Sequence, residues 1–196
     1  NCRCLETKEA CYGATASLRM AAAMVAARPH TKALVLAADV ARYDLAIPGE
    51  PTQGAGGVAM LVSARPRVMA LDPEAGFHSE DIMDFWRPNY RAEAFVDGKY
   101  STRMYLTTLI HAWKNYQAAS RRGLNGHTHY CFHLPFTKIA YKSFDRLCRA
   151  EGVQSPPEAE LKRLIEPALL YNRQTGNTYA ACLYEALTSL LDNAPA

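Results

Sequence analysis

No apolar run in the 196 residues approaches the ~18 that a membrane-spanning helix needs, so a helical membrane protein is excluded. The net charge is only +3, too small for a general nucleic-acid binder but compatible with a local pocket for an anionic ligand. None of the six cysteines forms a C-x-x-C pair, and the C-x-C of Cys2 and Cys4 has no second pair nearby. A disulfide framework and a structural zinc site there are therefore not expected, and reduced thiols in the cytoplasm are. There is also no signal peptide, no internal repeat, no low-complexity linker and no Met at the start. The true beginning of the chain is accordingly expected upstream. What is present, 49% hydrophobic and 21% charged residues, suffices for a buried core.

Local patterns predict an α/β protein. "GATASLRMAAAMVAARP" reads as an alanine-rich helix ending near Pro29, with small side chains that allow packing on both sides. "TKALVLAADV" and "VAMLVSA" read as strands covered on both faces, separated by the Gly/Pro loop "PGEPTQGAGG". "STRMYLTTLIHAWKNYQAAS" spaces Tyr105, Leu109, Trp113 and Tyr116 helically, with Ser101 as a cap. Residues 136–150 form another helix, Pro156 and Pro157 open a third, and "GNTYAACLYEALTSLL" turns at Gly176 into a last one.

Three places carry possible chemistry. Cys11 stands where a loop meets a helix, among Gly13, Ala14 and Ala16. The helix N-terminus would lower its thiol pKa and offer N–H groups to an oxyanion, although a packed core cysteine fits equally. "HTHYCFHLP" alternates His127, His129, Cys131 and His133, which on a strand share one face and resemble a zinc site. The other reading makes His133 a strand-end group facing a ligand, with Lys138 in the next helix meeting an anion. "GNTY" offers Asn177 as donor and acceptor, or simply as a helix cap.

Together, "KEACYGAT", "LAADVARY", "GEPTQGAGGVAML", "DIMDFWRPNY", "CFHLPFTK" and "GNTYAACLY" resemble, in order, the motifs of the 3-hydroxy-3-methylglutaryl-CoA synthases of the bacterial mevalonate-pathway type. The resemblance implies a thiolase-like, layered αβαβα fold. Residues 1–66 would be the latter part of its N-terminal half and residues 67–196 the first part of its C-terminal half. It also implies a homodimer that joins acetyl-CoA to acetoacetyl-CoA with no metal or redox cofactor, no nucleic acid and no membrane. By the matching, Cys11 is the acetylated nucleophile and His133 positions the acetoacetyl thioester. Asn177 then belongs to the polar network of the site and Lys138 to the CoA side. Asp39, Tyr43, Thr52, Asp84 and Phe85 fall on positions that line the pocket. Under this matching His133 is committed to substrate, and Cys131 packs in the core, so no metal is expected at the histidine run.

The family carries a glutamate well upstream of the nucleophile as general acid/base. Glu6 and Glu9 are too close to Cys11 to match it. The chain is therefore expected to be an internal piece, incomplete at both ends and inactive alone. Alternatives are a polyketide β-branching synthase working on carrier proteins, a type III ketoacyl synthase and a non-catalytic scaffold of the same fold.

Overall fold

In the computed structural model, described here for residues 2–194, two segments distant in sequence are locked together at a crossing of two glycines. The first segment begins with a single 3-10 turn, Ala10–Tyr12, that runs straight into α1, Gly13–Ala27. Alanine density makes this helix, and Pro29 ends it by disfavouring helical backbone at Arg28. β1 (Lys32–Val40) and β2 (Ala55–Ser63) then pair antiparallel, from Lys32 opposite Ser63 to Val40 opposite Ala55. Their buried face carries Val35 and Ala37 opposite Met60 and Val58, and packs on α1 and on the turn Tyr179–Ala181.

The opposite face is a departure from expectation. Leu34, Leu36 and Leu61 are 60%, 70% and 65% exposed, so the strands are covered on one side only. Their apolar residues fill both faces, which is why the sequence reads as a doubly covered strand. α1 is likewise buried along one stripe, Ala14, Ala21 and Val25, while Met20 and Met24 face outward.

The second segment opens with a two-residue ladder, β3 (Phe85–Trp86) with β4 (Phe95–Val96), and continues into α2, Gly98–Ser120. The cap of α2 is Asp97, whose carboxylate accepts the Tyr100 N–H at 3.0 Å; Ser101 lies inside the helix. α3 (Lys138–Glu151) ends on Gly152 at φ 70°, a left-handed cap that glycine supplies without strain. Glu151 then receives Trp113 Nε1 at 2.9 Å, Gln117 Nε2 at 2.8 Å and Leu124 N at 3.1 Å, tying α3 to α2. α4 (Glu158–Ile165) follows Pro157, α5 (Asn172–Thr175) is a single turn, and α6 (Cys182–Asn193) closes the chain. Cys182 and Ala186 of α6 enter the core of α3 and α4, while Tyr184 joins the core of α1 and β1. α6 thus separates and serves both cores.

Residues 127–135 are extended but form no strand. Burial does alternate, with Tyr130, Phe132 and Leu134 buried. Their backbone partners, however, are the Leu164 carbonyl for Tyr130 N (3.1 Å), Cys182 Sγ for Leu134 N (3.2 Å) and the Tyr105 hydroxyl for the His133 carbonyl (2.8 Å). Side chains and a helix end occupy the positions that a neighbouring strand would take.

At the crossing, Gln53 bridges Asn177 in parallel fashion, and the Asn177 N–H donates to the Thr52 carbonyl at 2.9 Å. A Cβ on Gly54 would stand 2.1 Å from the Thr175 carbonyl oxygen, and one on Gly176 2.3 Å from that of Gln53. Gly176 also needs φ 77°. Gly54→Ala and Gly176→Ala should each destabilise by about 2–4 kcal/mol, lowering Tm by about 5–15 °C, as backbone must be displaced to admit a methyl group. Gly98→Ala, where nothing lies within 4 Å of the new Cβ, should stay within about 0.5 kcal/mol of the starting protein. Thermal unfolding of the three variants checks this; a Gly54→Ala protein as stable as Gly98→Ala would contradict the closed crossing.

Candidate active site

Cys11 occupies the middle of the Ala10–Tyr12 turn, directly ahead of α1. The preceding Ala10 sits at φ 40°, in the left-handed region that an alanine enters only under constraint. Helix geometry alone would make this thiol acidic. Burial outweighs it: desolvation first, then Cys182, Asp39 and Asp84, push the Cys11 thiol up to about 12, against a smaller lowering by a backbone hydrogen bond in its own turn. At neutral pH Cys11 is a thiol, and its proton must leave during attack.

The His133 backbone adjoins this region from the extended segment, through Tyr105. Tyr105, from α2, donates to the His133 carbonyl and lies close enough to Cys11 and Cys182 for both to influence its hydroxyl. Burial holds the Tyr105 hydroxyl well above the usual phenol range. Burial also drives the His133 imidazole down to about 4, so the ring is neutral at physiological pH. Its Nδ1 is enclosed and has no hydrogen-bond partner among the described residues.

The third contribution comes from the glycine crossing. Asn177 is buried; its Nδ2 donates to the Tyr43 hydroxyl at 3.1 Å and its Oδ1 accepts the Tyr179 N–H at 3.0 Å. Phe85, Tyr43 and Tyr179 then form an aromatic triangle, with centroid separations of 6.0, 5.9 and 6.4 Å. Tyr179 has φ 44°, again a left-handed non-glycine residue, and burial and Tyr43 raise its hydroxyl pKa. Asp39 stands on the buried face of β1 opposite Gly56, near Cys11 and Tyr179.

Of the residues singled out from the sequence, Cys11, His133, Asn177, Asp39, Tyr43 and Phe85 come together. Asp84 also adds to the Cys11 shift, and Thr52 contributes its carbonyl to Asn177. Lys138 stands apart, exposed at the first position of α3. Tyr105, Tyr179 and Cys182 were not singled out. The one available signal was that a tyrosine on the apolar face of a helix needs a partner for its hydroxyl.

The histidine run does not gather. His127 uses Nε2 toward the Tyr116 hydroxyl at 3.0 Å and Nδ1 toward the Gly123 carbonyl at 3.0 Å. Among the described residues, no three His, Cys, Asp or Glu side chains converge on a metal position. A hollow of about 1460 Å³ lies between residues 2–10, α1 and β1 and reaches Asp39, Phe85 and Tyr179. Cys11 and His133 line no part of it, so the chemistry is placed by their own contacts. No helix among the described residues is long and apolar enough to cross a membrane.

Family models described as hydroxymethylglutaryl-coenzyme A synthase N terminal and C terminal match residues 1–66 and 70–164. The hydroxymethylglutaryl-CoA synthase of Enterococcus faecalis is 40% identical over 98% of this chain and 50% of its own length. The polyketide biosynthesis 3-hydroxy-3-methylglutaryl-ACP synthase PksG of Bacillus subtilis is 33% identical, with the same coverage. A crystal structure of an HMG-CoA synthase complexed with CoA superposes with a TM-score of 0.88 at 42% identity, over 98% of this chain and 49% of that one. The HMG synthase of the curacin biosynthetic pathway, in complex with acetyl donor-ACP, gives 0.89 at 33% identity, over 100% and 50%. The α/β fold is thus the thiolase-like fold of these enzymes. The chain spans about half the length of the curated relatives it matches.

The depressed His133 value makes a pH prediction. Unfolded chains take up a proton on this ring below about 6.5, the folded protein only below about 4. The unfolded state therefore binds more protons in between, and stability present above pH 6.5 is lost as pH falls toward 4, by roughly 3 kcal/mol from this group. Urea unfolding from pH 7 to 4.5 should show that decline, and His133→Gln should flatten it. Identical slopes for both proteins would contradict the burial of the ring.

Proposed function

This chain belongs to the hydroxymethylglutaryl-CoA synthase family, and from that premise we propose that its site joins acetyl-CoA to acetoacetyl-CoA through an acetyl-cysteine at Cys11. One observation carries the reading: a thiol, a neutral imidazole and an asparagine–tyrosine network converge from three stretches far apart in sequence.

Cys11 Sγ attacks the acetyl-CoA carbonyl, the acetyl–S bond to CoA breaks, and the thiol proton leaves with the CoA sulfur. N–H groups of the turn ahead of α1 are placed to receive the oxyanion. The acetyl methyl group then loses a proton to a base and attacks the ketone carbon of acetoacetyl-CoA. By resemblance, that base is the glutamate the family carries upstream of its nucleophile, which none of these residues matches. His133, neutral and with an unpartnered nitrogen, donates to the acetoacetyl oxygen and aligns the second substrate. Water finally hydrolyses the cysteinyl thioester, returning the Cys11 thiol and releasing 3-hydroxy-3-methylglutaryl-CoA. Every step is acyl transfer, proton transfer or carbon–carbon addition to a ketone, and the scheme uses no metal or redox cofactor. The same family resemblance supports a cytoplasmic homodimer.

An anionic substrate suits the surface between α2 and α3. Between α2 and α3 a cleft of about 430 Å³ is lined by Lys99, Arg103, Lys142, Arg146 and Arg149, with Asp145 as its one carboxylate. Asp145 is already paired with Arg149 at 2.9 Å, which leaves four cations for the phosphates of CoA. Lys138 begins the same helix, one turn before Lys142. A phosphopantetheine-bearing carrier protein is the second reading, favoured by the likeness to the curacin and PksG enzymes. The 40% identity to the Enterococcus faecalis enzyme and 42% to the CoA-bound structure, against 33% to the PksG and curacin enzymes, lean toward CoA.

Two assays test the proposal. With acetyl-CoA and acetoacetyl-CoA, the 196-residue chain alone should show turnover lower than a full-length relative by at least the ~10²–10⁴-fold that acid/base assistance supplies. Turnover near that of the relative would mean that these residues provide the base themselves. Extended to the family's full length, His133→Ala should lower condensation about 100-fold or more while acetyl-enzyme forms within several-fold of the starting rate. Equal loss of both steps would remove His133 from the second half-reaction.

A further inference from the structure

Among the described residues no hydrogen bond orients the His133 ring, which packing alone encloses: Nδ1 is buried without a partner, and no side chain hydrogen-bonds the imidazole. Its direction must come from the backbone on either side. Ahead of the next peptide, Tyr105 grips the His133 carbonyl at 2.8 Å. Beyond it stands Cys182, the first residue of α6 and wholly buried. Its Sγ accepts the Leu134 N–H at 3.2 Å and donates to the Leu134 carbonyl at 3.3 Å. One side chain thereby makes both hydrogen bonds that a neighbouring antiparallel strand would make to a single residue. Asn172 secures it from behind, donating through Nδ2 to Sγ at 3.3 Å and to the Cys182 carbonyl at 3.2 Å.

We propose that Cys182 is a positioning residue for His133, its thiol substituting for the absent strand partner and holding the His133–Leu134 backbone so that the imidazole faces the second substrate. The inference rests on the reading of His133 as the group that addresses acetoacetyl-CoA. Cys182 lies near Cys11, whose thiol it helps push up, and it acts on His133 through Leu134. A hydroxyl at this position keeps both hydrogen-bonding roles, whereas a methyl group removes both and leaves the Leu134 N–H without a partner in the core.

Serine and alanine leave nearly the same space, so comparing Cys182→Ser with Cys182→Ala separates hydrogen bonding from packing. The measurement is NMR on the full 196-residue chain, following the titration of the His133 ring and the exchange rate of the Leu134 amide. In Cys182→Ala, Leu134 exchange should accelerate about 10-fold or more, and the His133 midpoint should rise by about one unit as water reaches the ring. In Cys182→Ser, both should stay close to the starting protein. A midpoint unchanged in the alanine variant, or moved equally in both, overturns the proposal. If the alanine protein does not fold, Cys182→Thr against Cys182→Val makes the same comparison at matched shape. Neither readout requires turnover, so an extended enzyme that never forms acetyl-Cys11 would contradict the proposed function alone.

Discussion

Everything placed around Cys11 depends on the contact between Gly54 and Gly176, where two backbones meet with no room for a side chain. The crossing sets the Thr52 carbonyl on the Asn177 N–H, and Asn177 then fixes Tyr43 and Tyr179 with its own amide. Those rings close on Phe85 and crowd the turn that carries the thiol. Separating the backbones by the width of a methyl group would move the whole polar network relative to Cys11. The two left-handed non-glycine residues nearest the site, Ala10 and Tyr179, lie on the two segments so joined. Their strain is held by packing from both sides.

The electrostatic character of the site follows from the same enclosure. Cys11 and His133 are both shifted toward their neutral forms, the thiol up and the imidazole down, and burial is the first cause of each. Such a pair is not a resting thiolate–imidazolium. It suits an acyl transfer in which charge appears only transiently and CoA sulfur departs with the proton. The cations lie elsewhere, in the cleft between α2 and α3.

Much of this was legible from the sequence because it is local. The alanine run fixed α1, Pro29 its end and the two prolines the start of α4. The ordered motifs identified six residues that the fold does bring together. The failures have one cause, which is that the deciding partner lies far away in the chain. Residues 127–135 alternate like a strand, yet their hydrogen-bond partners are Leu164, Cys182 and Tyr105. Cys11 has the local setting of an acidic thiol, yet enclosure by the other segment, then Cys182 and Asp39, reverse the sign. β1 carries apolar residues on both faces, and nothing in its own sequence tells which face is covered. Tyr105 and Cys182 hold the backbone of other residues, at His133 and Leu134, so no motif of their own marks them.

The central claim is that, of six cysteines differing widely in exposure, Cys11, whose thiol burial pushes up to about 12, is the acyl acceptor. Cys2 and Cys4 are exposed, while Cys131 and Cys182 are held up to about 11 by burial, leaving reactivity to be decided by site geometry rather than by access or acidity. Peptide mass mapping after incubation with acetyl-CoA, on the chain extended to the family's full length, decides the matter. The account predicts a single acetyl adduct on the peptide containing Cys11, absent in Cys11→Ser. An adduct on Cys131 or Cys148, or one that survives Cys11→Ser, would contradict it.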